Sequence, residues 1–355
     1  VPSETIPSET AAYDAAAYDA VLVLSFGGPE GQDDVIPFLK NVLRGRNVPP
    51  ERMEAVAGHY RRFGGVSPIN GQNRDLITAL EAELAAHGPR LPVYWGNRNW
   101  HPMLADTVRT MADDGVARAL VFVTSAFGSY SGCRQYRADL AAARAAVGDG
   151  APELDKLRLY WNHPGFIDPV AEGLRSTLAG TGPDPLVLFS AHSIPTVMAE
   201  GSPYLEQLRD AAGLVAARCG IDDWELVFQS RSGPPSQPWL GPDVGDRLRA
   251  LPDPSRPVVV CPIGFVSDHM EVVYDLDTEA AELASAEGID LRRAPTVGTS
   301  PGFVRMIREL IEERLDPSRP RLALGTLGPW GDSCPAGHCP APGRPAVGAG
   351  SLAKS

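Results

Sequence analysis

The chain has 355 residues, 32 basic against 44 acidic side chains for a formal net charge of −12, and a hydrophobic fraction of 43%. That length suits two domains, the composition is that of a globular protein, and so acidic a chain does not hold nucleic acid by a broad phosphate-facing surface, although a local basic pocket is compatible with it. The longest apolar runs, such as 20–24 and 119–123, fall far short of the ~18 residues a membrane span requires.

The N-terminal stretch VPSETIPSETAAYDAAAYDA repeats PSET and AAYDA and carries neither Lys nor Arg nor an apolar core. It is not a signal peptide, and residues 1–18 are expected to be disordered. From there on, short apolar runs alternate with amphipathic stretches. Strands are predicted at 20–26, 92–95, 119–124, 157–161, 186–190, 226–229, 258–261 and 289–291. Helices are predicted at 73–87, 102–114, 135–147, 204–219, 269–287 and 303–315. This alternation predicts an α/β fold of two Rossmann-like lobes, 19–162 and 163–318, each a four-stranded parallel sheet flanked by helices, with a cleft between them. A Gly/Pro-rich tail, 319–355, follows.

Ligands of such sheets bind beyond the carboxyl ends of the strands. The loop after the first strand has neither GxGxxG nor a Walker motif, so a nucleotide site has little support. The loop after the fifth strand reads FSAHSIP and puts His192 at the cleft. After the seventh strand comes SDHMEVVYDLDTEAAEL, where Glu271, Asp275 and Glu279 follow at i, i+4 and i+8 along one helix flank. Taken singly, the histidine is more often a hydrogen-bonded structural residue and the acids a solvated helix face. Together, an imidazole that accepts protons near neutrality and a ladder of hard carboxylate oxygens suit a reaction that removes protons and delivers a divalent cation.

FSAHSIP and SDHMEVVYDLD resemble the two signature segments of the ferrochelatases, the metal-inserting enzymes of haem synthesis. The likeness runs in order through VLVLSFGGPEG, LRGR, YRRFGGVSPIN, GNRNWHPM and VFQSRSGPPSQPWLGPDV, from about Tyr18 to Leu315. Composition and tail resemble actinobacterial members, and Gram-positive members typically metallate coproporphyrin III rather than protoporphyrin IX. The resemblance implies His192 and Glu271 as the catalytic pair, either of which is the proton acceptor, and His192, Glu271, Asp275 and Glu279 as the groups that handle iron, on a helix that widens into a π-type turn. Phe26, Arg44, Arg46, Tyr60, Ser67 and Tyr130 would bind the porphyrin, the arginines by pairing with propionates. Without the resemblance, Arg44 and Arg46 read equally well as charges at a helix C-terminus. Some Gram-positive relatives carry a tyrosine where this chain has Phe26, which cannot ligate iron. The pairs Gly27–Gly28 and Gly64–Gly65 read either as close-approach positions for a flat ligand or as turn glycines.

Five cysteines are scattered along the chain and are expected to be reduced in a cytoplasmic monomer. Cys219 and Cys261 read as packing residues. Some ferrochelatases carry a [2Fe–2S] cluster on tail cysteines plus one from the first lobe, and Cys334, Cys339 and Cys133 match that arrangement. A cluster needs four ligands, so Asp332 or His338 is the expected fourth. The competing readings are the same insertion into protoporphyrin IX and a carrier of tetrapyrrole or haem with the same fold; the carrier would lack the His–Glu pair.

Overall fold

The computed structural model describes residues 18–45, 48–233, 236–334 and 337–341. The expectations for residues 1–17, Arg46 and 342–355 lie outside them. One sheet holds β1 (Ala20–Ser25), β2 (Val93–Asn97), β3 (Arg118–Val123) and β4 (Glu153–Lys156) in the order β2-β1-β3-β4. The other holds β5 (Leu186–His192), β6 (Trp224–Gln229), β7 (Val258–Cys261) and β8 (Leu291–Arg293) in the order β6-β5-β7-β8. Every pairing is parallel, so the second sheet repeats the topology of the first. All six residues of β1 are buried, as are the first six of β5, which is why these strands are continuous apolar runs with no alternation.

The first sheet is flanked by α1 (Val35–Val42), α2 (Pro50–Arg62), α3 (Ile69–His87), α4 (Leu104–Asp113) and α5 (Gln135–Val147). Next come α6 (Pro164–Leu178), α7 (Thr196–Glu200), α8 (Tyr204–Cys219), α9 (Val244–Arg249), α10 (Met270–Tyr274), α11 (Ala281–Glu287) and α12 (Pro301–Leu315). α10 and α11 run on into each other through a π-helical turn, Asp275–Ala280, so the predicted helix 269–287 is one helical run with the widening that the resemblance implied.

The predicted strand 157–161 is a correction. The strand lies just upstream at Glu153–Lys156, a polar edge, and pairs with β3. Leu157, Leu159, Tyr160 and Trp161 are instead buried in the core that spans both lobes. Tyr160 stacks on Phe122 at 5.2 Å and meets Phe303 of α12 at 5.9 Å. Apolar content alone does not separate a buried strand from a buried connector. That core is closed by α12, which crosses back onto α3 and α6. Arg308 of α12 pairs with Glu83 of α3 at 2.8 Å, and Glu313 forks onto Arg158 at 2.7 and 2.8 Å. Tyr18, expected to be disordered, is buried: its hydroxyl donates to Asp155 at 2.8 Å and accepts from Arg314 at 2.9 Å. Among the described residues no helix or strand follows Leu315.

Candidate active site

His192 closes β5 opposite Gln229 of β6. Its Nδ1 lies 2.6 Å from the Ser193 carbonyl oxygen. A carbonyl only accepts, so Nδ1 carries the hydrogen and the neutral ring presents a lone pair at Nε2. That Nε2 is 3.4 Å from Glu271 Oε2. The Tyr204 hydroxyl donates to the His192 carbonyl at 3.0 Å and holds the strand end in place.

Glu271 arrives on the loop after β7. The Gly264 N–H donates to the Ser190 carbonyl at 3.0 Å, and a Cβ on Gly264 would lie 2.6 Å from that of Ala191. Only glycine lets this loop rest against the end of β5. His269 then caps α10, its Nδ1 accepting the Glu271 N–H at 3.2 Å. Asp275 opens the π turn, and its carboxylate accepts from the Ser230 hydroxyl and, at 3.4 Å, from Gln229 Nε2. Glu279, one turn further, is exposed.

The side chains of His192 and Glu271 are 34% and 48% exposed, so water reaches both. Burial opposes charge on each, but their mutual attraction prevails: His192 titrates above its ordinary value and Glu271 below its own. Asp275 moves the other way. Burial pushes its carboxyl up to about 7 against the stabilising Ser230 hydroxyl, and the negative Glu271 and Glu279 add to the rise. Near neutrality Glu271 is therefore an ionised carboxylate that favours the protonated form of the His192 ring beside it, and behind them is an acid poised to gain or lose a proton. Such a set can pass protons and hold a cation on hard oxygens.

The first lobe closes over this ladder. Tyr60 of α2 is buried in a cluster with Phe38, Leu39 and Met270. Its phenol is pushed well above its ordinary value by burial and by the negative Glu271 and Asp275, so it stays neutral. His59 stacks on Tyr274 at 3.8 Å, Arg62 reaches Glu282 at 2.5 Å, and Arg52 donates to the Ser232 carbonyl at 3.1 Å. Gln72 of α3 accepts the Asp268 N–H at 2.8 Å.

Of the other expected residues, Phe26 is 37% exposed, with the Arg98 guanidinium 5.9 Å from its ring. Arg44 is exposed and donates to Asn41 at 2.7 Å; Arg46 lies outside the described residues. Tyr130 is half-buried at the start of a π-helical turn, Tyr130–Arg134. Ser67 is buried, and a Cβ on Gly28 would lie 2.7 Å from its own. A Cβ on Gly27 would lie 2.8 Å from that of Asn97, so this glycine pair packs loop on loop. Sequence reasoning missed His59, Gln72, Tyr274 and Gly264. It had no helix at Pro50–Arg62, although a proline at the first turn followed by ERMEAVAGHYRR is a helix-start signal.

Cys133 and Cys334 lie within hydrogen-bonding reach of each other. Cys334 is the more readily ionised of the two, its thiol lowered by Cys133 and by the Trp330 N–H at 3.5 Å. Burial and the Cys334 charge push Cys339 up to about 11. Neither expected fourth ligand is poised. Asp332 pairs with Arg321 at 2.8 Å and Arg314 at 3.3 Å, and His338 is exposed with its ring 6.3 Å from Trp330. Among the described residues no group of three or more His, Cys, Asp or Glu converges as a metal site. The residues present thus give three neighbouring thiols and no complete cluster site. Cys219 and Cys261 are packing thiols, Cys219 donating to the Ala171 carbonyl at 3.4 Å and Cys261 buried in the core. Among the described residues no helix is long and apolar enough to cross a membrane.

Residues 18–315 match the family model described as Ferrochelatase. A protein of Rhodopirellula baltica named Ferrochelatase is 56% identical over 93% of this chain and 95% of its own length. One of Streptomyces coelicolor named Coproporphyrin III ferrochelatase is 51% identical over 93% of this chain and 96% of its own. The cobalt complex of the sirohydrochlorin chelatase SirB from Bacillus subtilis is 9% identical, covers 83% of this chain and 94% of that one, and superposes with a TM-score of 0.50. That last likeness is one of fold.

Proposed function

The chain belongs to the ferrochelatase family, and on that premise we propose that it inserts ferrous iron into coproporphyrin III to give coprohaem. The His192–Glu271 pair backed by Asp275 is the observation that carries the reading. Metal insertion replaces two pyrrole N–H protons by one Fe²⁺. The Nε2 lone pair of His192 and the two carboxylates are acceptors for those protons, and Asp275 and Glu279 form the ladder on which iron approaches. This pair also sets the chain apart from a carrier that kept the fold without the chemistry.

The porphyrin is assigned to Phe26, Arg44, Arg46, Tyr60, Ser67 and Tyr130, the residues the resemblance implies; Phe26 and Arg44 are exposed, Tyr130 is half-buried, and Tyr60 and Ser67 are buried. Coproporphyrin III has four propionates against the two of protoporphyrin IX, so arginines that pair with carboxylates favour the former. The printed name of the Streptomyces relative supports the same choice. One chain holds both halves of the site, which suits a monomer, and five free cysteines suit the reducing cytoplasm.

An anaerobic Fe²⁺-insertion assay on the two porphyrins tests the reading; coproporphyrin III is expected to give the higher kcat/KM, and equal values would reject the preference. His192→Ala and Glu271→Gln are each expected to lower turnover by about 10²–10⁴-fold with porphyrin binding, followed by fluorescence quenching, nearly intact. A variant that keeps a tenth of wild-type turnover would remove that residue from the mechanism. A [2Fe–2S] cluster on Cys133, Cys334 and Cys339 belongs to the same proposal, with a structural role in tying the tail to the first lobe. The three neighbouring thiols support it; completing the site requires the exposed His338 to turn inward or Asp332 to leave Arg321 and Arg314. About two irons and two acid-labile sulfides per chain, lost in Cys334→Ser, are expected; colourless iron-supplemented protein would reject the cluster.

A further inference from the structure

Glu271 sits in the first turn of the helical run Met270–Glu287, whose middle, Asp275–Ala280, widens into a π turn. The first turn of a helix is where it frays, and a π turn has poorer hydrogen-bond geometry than the α-helix around it. The 3.4 Å approach of Glu271 to His192 therefore gains from ties made outside the helix. The Arg293 side chain, at the end of β8, makes such ties. On one side its NH1 and NH2 donate to the two carboxylate oxygens of Asp268 at 3.2 and 3.4 Å. On the other, Nε donates to Asp277 Oδ1 and NH2 to Oδ2 at 2.9 Å. Asp268 precedes Glu271 on the loop and Asp277 follows it in the π turn, so one guanidinium ties both flanks of the acid-bearing segment to the edge of the sheet. The Asp268 N–H is at the same time fixed by Gln72 from the first lobe.

We propose that Arg293 is a positioning residue for Glu271, acting through its forked pairs with Asp268 and Asp277. It touches neither porphyrin nor iron. Only arginine presents donors in a planar fork able to serve two carboxylates at once; a lysine ammonium is a point charge. The pairs are partly solvated, with Arg293 21% exposed and Asp268 and Asp277 20% and 36%. Partly solvated pairs contribute little to global stability, so their loss shows in geometry rather than in unfolding.

The proposal rests on the insertion reaction and is tested separately from it. Arg293→Leu is expected to lower kcat by about 10–100-fold, the range for residues that orient a metal-handling group. The KM for coproporphyrin III is expected to change by less than about two-fold, because the residues assigned to the porphyrin are untouched. Arg293→Lys is expected to fall between the two, and Arg292→Leu, whose parent pairs only with Asp290 at 3.3 Å, to match wild type. Asp277→Asn removes one fork and decides the matter if Arg293→Leu does not fold; a kcat lowered several-fold at constant KM is expected. Amide hydrogen exchange of residues 268–277 in the iron-free protein gives a readout independent of activity and is expected to quicken in Arg293→Leu. Unchanged kcat in either soluble variant, a KM that rises in step with the loss, or unchanged exchange would overturn the assignment of Arg293. An inactive wild type with faster exchange in Arg293→Leu would overturn the insertion reading alone.

Discussion

Asp275→Asn is expected to stabilise the iron-free protein in alkali and not in acid. In the folded chain burial and the neighbouring carboxylates raise the Asp275 carboxyl from 3.8 to about 7. The fold thus favours the protonated form. Between pH 4 and 7 the folded protein keeps a proton that the unfolded chain has released, so stability falls as pH rises through that window and is flat above it. A rise of about three pH units at 1.36 kcal/mol each gives about 4 kcal/mol for a dry site. Asp275 is only half-buried at the cleft, and solvent screening reduces this to roughly 2 kcal/mol. Asparagine carries no such charge and still accepts the Ser230 hydroxyl. The measurement is urea unfolding of wild type and variant at pH 4 and pH 8 with a chelator present. The variant's advantage is expected to grow by about 2 kcal/mol between the two. Parallel stabilities at both pH values would show that Asp275 is solvated as an ordinary carboxylate, and the ladder would lose its neutral-range acid.

Glu313→Gln is expected to cost about 3–5 kcal/mol in urea unfolding, because it leaves a buried Arg158 without its charge partner. The two side chains are only 1% and 5% exposed, so a cost below about 1 kcal/mol would contradict the assignment of this pair as the tie between α12 and the first lobe. Gly264→Ala is expected to cost about 1–3 kcal/mol by overpacking against Ala191 and to lower kcat with it, since the displaced loop carries Glu271. Ala191→Gly in the same chain is expected to recover part of both losses, and no recovery would count against this contact.

Much of the architecture is legible in the sequence because buried parallel strands have so distinct a form. Runs such as VLVL and VLF, bounded by turn residues, have the form of strands at the centre of a sheet covered on both faces, and here they are such strands. Edge strands do not announce themselves: Glu153–Lys156 reads ELDK, and the apolar LRLYW beside it is a connector buried between the lobes. His192 and the acids are legible for a different reason, since loops after parallel strands are where chemistry collects. What positions them is not. Gln72 binds a backbone N–H across the lobes, Gly264 matters for a side chain it lacks, and Arg293 in LRRAP looks like any surface arginine. Each of these depends on distances between segments far apart in the chain, which no local pattern encodes.

The two sheets share one strand order, yet His192, Glu271 and Asp275 all lie at or after the ends of strands of the second. Where β5 ends in His192, the matching β1 ends in Ser25 followed by Phe26, an exposed aromatic with no proton to exchange. The first lobe contributes in another way. Between β1 and β2 it inserts α1 and α2 ahead of α3, and these elements latch onto the second lobe at Tyr274, Glu282, Ser232 and Asp268. The buried Tyr60 stays neutral there, close enough to Glu271 and Asp275 to feel their charge. Burial, with Glu271 and Glu279, is what raises Asp275 toward neutrality. A repeated topology thus carries the His192–Glu271–Asp275 set on one half, while the other half packs against the segment that bears it.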